Sequence, residues 1–248
     1  MYRSVTATAP ERDKELSLLQ HLDELRRRLV VVAIAVFITT AASFVFAEQI
    51  VRFLLAPSGI EKCIALSPTE NFTTFMRVSL FAGLALAMPV LLYEIYAYVD
   101  PALHKHERRF VLSLGPFVLL LFVAGMAFCY YLLLPQALRF LINFGANVIE
   151  NQLRCSEYLS FVTTFILGMG VVFEVPAIMF ALVRVRVVQR EWLERQRRYV
   201  FLLVFVVAAI LTPTPDPFNQ SLVAIPMYLL YEIGLLLSRF AGGRRAAA

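Results

Sequence analysis

The 248 residues are 60% hydrophobic and only 17% charged, with a mean hydropathy of +0.72, which excludes an ordinary soluble domain and marks a membrane chain. The net charge of +5 does not indicate nucleic acid, because no basic patch is interleaved with exposed aromatics. Lys and Arg number 6 in residues 1–28, 3 in 100–109, 6 in 184–198 and 3 in 239–245, while the intervening hydrophilic loops hold only Arg52, Lys62, Arg139 and Arg154. This alternation is the positive-inside pattern and puts both termini in the cytoplasm.

The first 28 residues are polar and carry Glu11, Asp13, Glu15, Asp23 and Glu24, so they do not read as a cleavable signal peptide. Residues 15–28 read as an amphipathic helix along the cytoplasmic surface. Ser17 and Gln20 match a capping box, Leu18, Leu22, Leu25 and Leu29 form one stripe, and His21, Glu24 and Arg28 share another face.

Span one is expected at about 29–47. Ser67-Pro68-Thr69-Glu70 then fits a helix start, with Ser67 as N-cap, Pro68 at the first helical position and Glu70 reaching back. Span two follows at about 72–98. Asp100-Pro101 repeats the device ahead of span three, at about 110–134, which is expected to stop at Pro135. Residues 135–156 are read as an outside segment with some helical apolar spacing. Span four covers about 157–183.

Tyr199–Leu211 is only 13 residues, or about 20 Å as a helix against a hydrocarbon core of about 30 Å. It reads as a short fifth span, with a sixth at about 218–237, although a re-entrant pair suits the flanking cations equally. The fold class is therefore an all-α integral membrane protein, a single membrane domain over 1–248 with six transmembrane helices. Prolines 89, 116, 176 and 226 predict kinks in four spans and hence a concave face.

Cys63 and Cys155 both fall in loops predicted to face outside, where they either oxidise to a disulfide or remain two thiols too far apart to bridge. Glu174 lies near the middle of span four, where an ionised carboxylate costs about 2.5–3.5 kcal/mol even on the lenient insertion scale. It is either a neutral acid hydrogen-bonded to a neighbouring helix or a group facing a polar cavity. Glu94 and Glu232 lie nearer the cytoplasmic ends of their spans. No nucleophile–base set, P-loop or Gly-rich dinucleotide motif is present, so an enzyme is not indicated. His21, His104 and His106 do not have diagnostic metal spacing, and no cofactor is implied. On residues alone, a secondary transporter or ion channel using Glu174, Glu94 and Glu232 is the alternative function.

Several stretches together resemble the TatC family, the multi-span core of the twin-arginine protein translocase. They are His21-Leu22-x-Glu24-Leu25-Arg26-x-Arg28-Leu29; Ser67-Pro68-Thr69-Glu70; Pro101-Ala102-Leu103-x-Lys105-His106-Glu107-Arg108-Arg109; Phe173-Glu174-x-Pro176; Thr212-Pro213 through Asp216-Pro217-Phe218-x-Gln220; and Pro226 with Tyr231-Glu232-Ile233-Gly234. Tyr96 and Tyr98 stand where the family pattern leads one to expect Trp or Phe, and the signature also varies at Asn219.

The resemblance implies a glove-like bundle in a bacterial cytoplasmic (inner) membrane, in several copies per complex. It implies that Glu24 and Glu107, with Arg26 and Arg108 beside them, bind the Arg-Arg pair of signal peptides on folded cargo. It further implies contact with single-span TatA/TatB-type partners through Glu174, Thr212, Asp216 and Gln220, and export driven by the proton gradient, while the capped helix start itself gives Ser67, Pro68 and Glu70 a structural role. The plainer reading of both acids is helix-surface charge pairing, since Glu24 precedes Arg27 and Arg28 and Glu107 sits among Lys105, Arg108 and Arg109.

Overall fold

The computed structural model describes residues 18–59, 63–100, 105–144, 153–212 and 216–241, a few of them, Glu107 included, by backbone alone. Ser17, Pro101, His104 and Pro213 lie outside the described residues. Ten α-helices account for nearly all of the described chain: α1 (Leu18–Val45), α2 (Ala47–Leu55), α3 (Pro68–Val99), α4 (Lys105–Phe128), α5 (Leu134–Asn143), α6 (Cys155–Val172), α7 (Val175–Arg184), α8 (Arg190–Arg195), α9 (Arg197–Leu211) and α10 (Pro217–Ala241). Among the described residues, five helical stretches are long and apolar enough to cross a membrane: His21–Val45, Pro68–Val99, Phe110–Asn143, Cys155–Arg184 and Pro217–Phe240.

α6 is the axis of the bundle. It packs against α2, α3, α4 and α9; its Leu159, Val162, Phe165 and Met169 are buried with Leu134 and Leu138 of α5 and Val223 of α10, and the buried Phe122 of α4 lies against its Gly170. By contrast α1 rests chiefly on α3 and leaves Ile34, Phe37 and Ile38 exposed. Apolar surface of that kind suits hydrocarbon.

The first two helical stretches differ from expectation in one respect. No break separates an amphipathic surface helix from span one; Leu18–Val45 is a single helix. Nothing in His21–Leu29 stops it, because Arg and Leu are strong helix formers and the segment contains no Gly or Pro. Leu22 and Leu29 of the leucine stripe are exposed, and the other face, with His21, Glu24 and Arg28, is the one turned toward α3.

Span three does not stop at Pro135 either. Residues 129–133 form a π-turn, in which the Leu134 N–H bonds back to the Cys129 carbonyl, and the helix continues as α5 with Leu134, Ala137 and Leu138 buried. The wider turn accommodates a proline that would otherwise clash with the carbonyl four residues earlier. Of the four kink prolines, only Pro176 coincides with an interruption, at Phe173-Glu174; α3, α4 and α10 run on through Pro89, Pro116 and Pro226.

Candidate functional site

One end of α3 carries a cluster of ion pairs. Arg28 of α1 donates from Nε and Nη2 to Glu24 Oε1 at 3.2 and 2.6 Å, and from Nη1 to Glu94 Oε2 of α3 at 3.0 Å. One turn away His21 stacks on Tyr98, with ring centroids 4.4 Å apart. Next along α3, the Asp100 carboxylate accepts the Tyr96 hydroxyl at 3.0 Å and faces Arg108 Nη1 of α4 at 3.3 Å. The end of α3 therefore has Glu24 on one side and the first turns of α4, which carry Glu107, on the other. Asp100 closes α3; its expected capping of the next helix falls on Pro101–His104, outside the described residues. Arg26 is exposed.

Midway along the bundle, Glu174 stands at the break between α6 and α7. It is 4% exposed, and neither carboxylate oxygen completes a hydrogen bond, although the Phe122 backbone lies beside it. It makes no hydrogen bond to Thr212, Asp216 or Gln220, the other residues expected to contact partners. Thr212 returns its hydroxyl to Ala208 O at 3.0 Å, and Gln220 Nε2 donates to Phe205 O at 2.9 Å. Asp216 caps α10 by accepting the Asn219 N–H at 2.7 Å and its side-chain amide at 2.9 Å. Thr212 also lines an open groove of about 560 Å³ with Arg77, Ser160 and Thr164.

The opposite end of α3 is cross-tied. Cys63 and Cys155 form a disulfide with Cα atoms 5.0 Å apart, beside a parallel bridge in which Ile64 N–H bonds to Leu153 O and Cys155 N–H to Ile64 O, each at 3.0 Å. Glu70 does reach back, but to the Leu66 N–H at 2.8 Å rather than to Ser67. It also accepts Arg154 Nε at 3.0 Å and Ser156 Oγ at 2.5 Å. Ser67 precedes the helix without a side-chain capping bond and instead meets Thr69 Oγ1 at 3.2 Å. Pro68 opens the helix as expected, at a position that needs no N–H donor.

Residues 20–226 match the family described as Sec-independent protein translocase protein (TatC). The Escherichia coli K12 protein of that name is 39% identical over 232 residues, covering 92% of this chain and 90% of its own. The Carboxydothermus hydrogenoformans protein is 33% identical over 230 residues, covering 92% and 95%. A crystal structure titled as the twin arginine translocase receptor TatC superposes with a TM-score of 0.81 at 37% identity, covering 89% of this chain and 99% of that one. The chain belongs to the TatC family.

As a TatC protein it is a membrane-embedded, non-enzymatic subunit of the twin-arginine translocase. Two of the three acids in the ion-path alternative are held in ion pairs in this TatC chain: Glu94 by Arg28, and Glu232 by Arg197 Nη2 at 2.9 Å with Tyr228 donating at 3.1 Å. Reading the sequence missed one cation. Arg77 lies inside a span, and its charge amid Val78, Leu80 and Phe81 was the available signal. Arg28 was legible on one face with His21 and Glu24, but its tie to Glu94, 66 residues on, was not, because nothing local indicates it.

Proposed function

We propose that this TatC chain is the cytoplasmic-face receptor for Arg-Arg signal peptides on folded cargo, with Glu24 and Glu107 as the arginine-binding acids and Arg26 and Arg108 beside them. The observation that carries the reading is the convergence on one end of α3. Glu24 is tied to that end through Arg28 and Glu94, and α4 through the Arg108–Asp100 pair. The helices carrying Glu24 and Glu107 thus both meet the end of α3, which supports the reading. Carboxylates favour the planar guanidinium fork over a compact ammonium, which suits an Arg-Arg motif.

The chain sits in the bacterial cytoplasmic membrane with both termini inside, as the distribution of Lys and Arg favours. α9 is the short fifth of six spans; its 15 residues reach about 22 Å, so the bilayer thins around it. Six spans cannot line a path for a folded domain. Several copies therefore assemble with TatA/TatB-type single-span partners through the Thr212–Gln220 region and Glu174, and the proton gradient drives export.

Site-specific crosslinking of a signal peptide tests the receptor assignment. Crosslinking is expected with Arg-Arg and not with Lys-Lys, and it is expected to fall in Glu24→Ala and Glu107→Ala. Equal crosslinking in all cases would sink it.

A further inference from the structure

Arg28 lies between two carboxylates on different helices, using Nε and Nη2 toward Glu24 and Nη1 toward Glu94. The three side chains are 13–23% exposed, so the cluster is largely shielded yet open to a ligand. We propose that Glu24 is the seat for a signal-peptide guanidinium, that Arg28 occupies this seat until a peptide arrives, and that Glu94 then holds the displaced Arg28. Binding is then an exchange. This rests on the receptor reading of Glu24 above, and adds to it a second carboxylate and a resident competitor.

The geometry is that of a site already holding its ligand's chemistry. A guanidinium offers donors in several directions in one plane, and here two acceptors on separate helices are spaced to take them. Two carboxylates facing one cation also make exchange feasible. When an incoming arginine takes Glu24, Arg28 keeps its bond to Glu94, and no charge is left stranded. Leaving a partly buried charge without a partner is the outcome that costs most. The stacked His21 and Tyr98 rings, on the same two helices, provide an adjacent flat wall against which a second guanidinium can lie.

The test uses the full chain in nanodiscs and a fluorescent signal peptide carrying Arg-Arg or Lys-Lys, with affinity read by anisotropy for wild type, Glu24→Gln, Arg28→Gln and Glu94→Gln. Removing the competitor in Arg28→Gln is expected to tighten Arg-Arg binding several-fold. Glu94→Gln is expected to weaken it about tenfold, the scale of one charge-assisted hydrogen bond, and to shrink the preference for Arg-Arg over Lys-Lys, because Arg28 then clings to Glu24. Weaker or unchanged binding by folded Arg28→Gln overturns the proposal. Should that variant not fold, Glu94→Gln decides alone, and an unchanged affinity and preference overturns it. Glu24→Gln keeps the two ideas apart. Full binding there, with no preference for Arg-Arg, sinks the receptor reading itself; lost binding there beside an unmoved Glu94→Gln sinks only the exchange.

Discussion

Arg154 Nε donates to Glu70 Oε1 at 3.0 Å, joining residues 84 positions apart and tying the start of α3 to the start of α6. The Glu70 side chain is 4% exposed, and its two oxygens also take the Leu66 N–H and the Ser156 hydroxyl. Glutamine at this position turns one acceptor into a donor facing donors, which leaves buried groups unsatisfied. Glu70→Gln is therefore expected to lower the thermal midpoint in detergent by several degrees, and Glu70→Ala by more. Ser67→Ala is expected to change it little, since Ser67 makes no capping bond. A thiol-reactive dye melt distinguishes them, and equal losses for Ser67→Ala and Glu70→Gln would show the carboxylate is not the tie.

The Cys63–Cys155 disulfide closes a loop of 92 residues around the same junction. Disulfides typically stabilise by about 2–4 kcal/mol, and the chain-entropy relation puts so long a loop at about 4.6 kcal/mol. Under denaturing conditions without reductant, one maleimide should add per chain, at Cys129, and three after reduction. Cys63→Ser should melt at a lower temperature than wild type and behave like the reduced protein. Three adducts without reductant would show that the two thiols are unpaired.

Much of this was legible from the residues, and the gaps have physical causes. Apolar runs report where helices lie, so the spans were readable. A proline removes one donor and restricts one dihedral, but whether the helix ends or widens depends on neighbours; at Pro135 the buried faces of Leu134, Ala137 and Leu138 reward continuing. The polar stretch before span one looked like a separate surface helix because periodicity cannot see that its charged face meets α3. Glu70 was read as a local cap, whereas the partners that bury it, Arg154 and Ser156, come from α6 and the residue before it. Glu24 was identifiable from its motif and Glu94 as an acid near the cytoplasmic end of its span, but their link through Arg28 was not, since cross-helix pairing exists only in the folded chain.

The placement of Glu24 beside Glu94 depends on how closely α1 lies on α3. At the seam Thr39 Oγ1 donates to Gly83 O at 2.8 Å, and a Cβ on Gly83 would stand 2.7 Å from Thr40 Cα. Backbone is on the far side of that contact, so the helices must part to admit a side chain. Overpacking of this kind costs about 1–3 kcal/mol. Gly83→Val is expected to lower the melting midpoint and to cut signal-peptide crosslinking together with it. Gly115→Ala in α4 meets nothing within 4 Å and should hold or raise stability by up to about 1 kcal/mol. Identical behaviour of the two variants would mean that α1 is not seated through Gly83.

Glu174 makes the opposite prediction, a residue whose removal helps the fold. Its carboxyl is buried at the α6–α7 break with both oxygens unpartnered, and a buried polar group without a hydrogen bond costs about 1–3 kcal/mol. Thr212, Asp216 and Gln220 have their own partners, and among the described residues no hydrogen bond accounts for the acid. Glu174→Leu is expected to raise the melting midpoint in detergent by a few degrees while lowering export of a twin-arginine cargo in cells. Glu174→Gln keeps the shape and a hydrogen-bonding head without ever carrying charge. Retained export with Gln would assign Glu174 a hydrogen-bonding contact to a partner helix, and lost export would assign it a role that needs the ionisable proton. The stability rise is the discriminating measurement, because a lower midpoint in Glu174→Leu would mean the carboxyl has a stabilising partner and is structural after all.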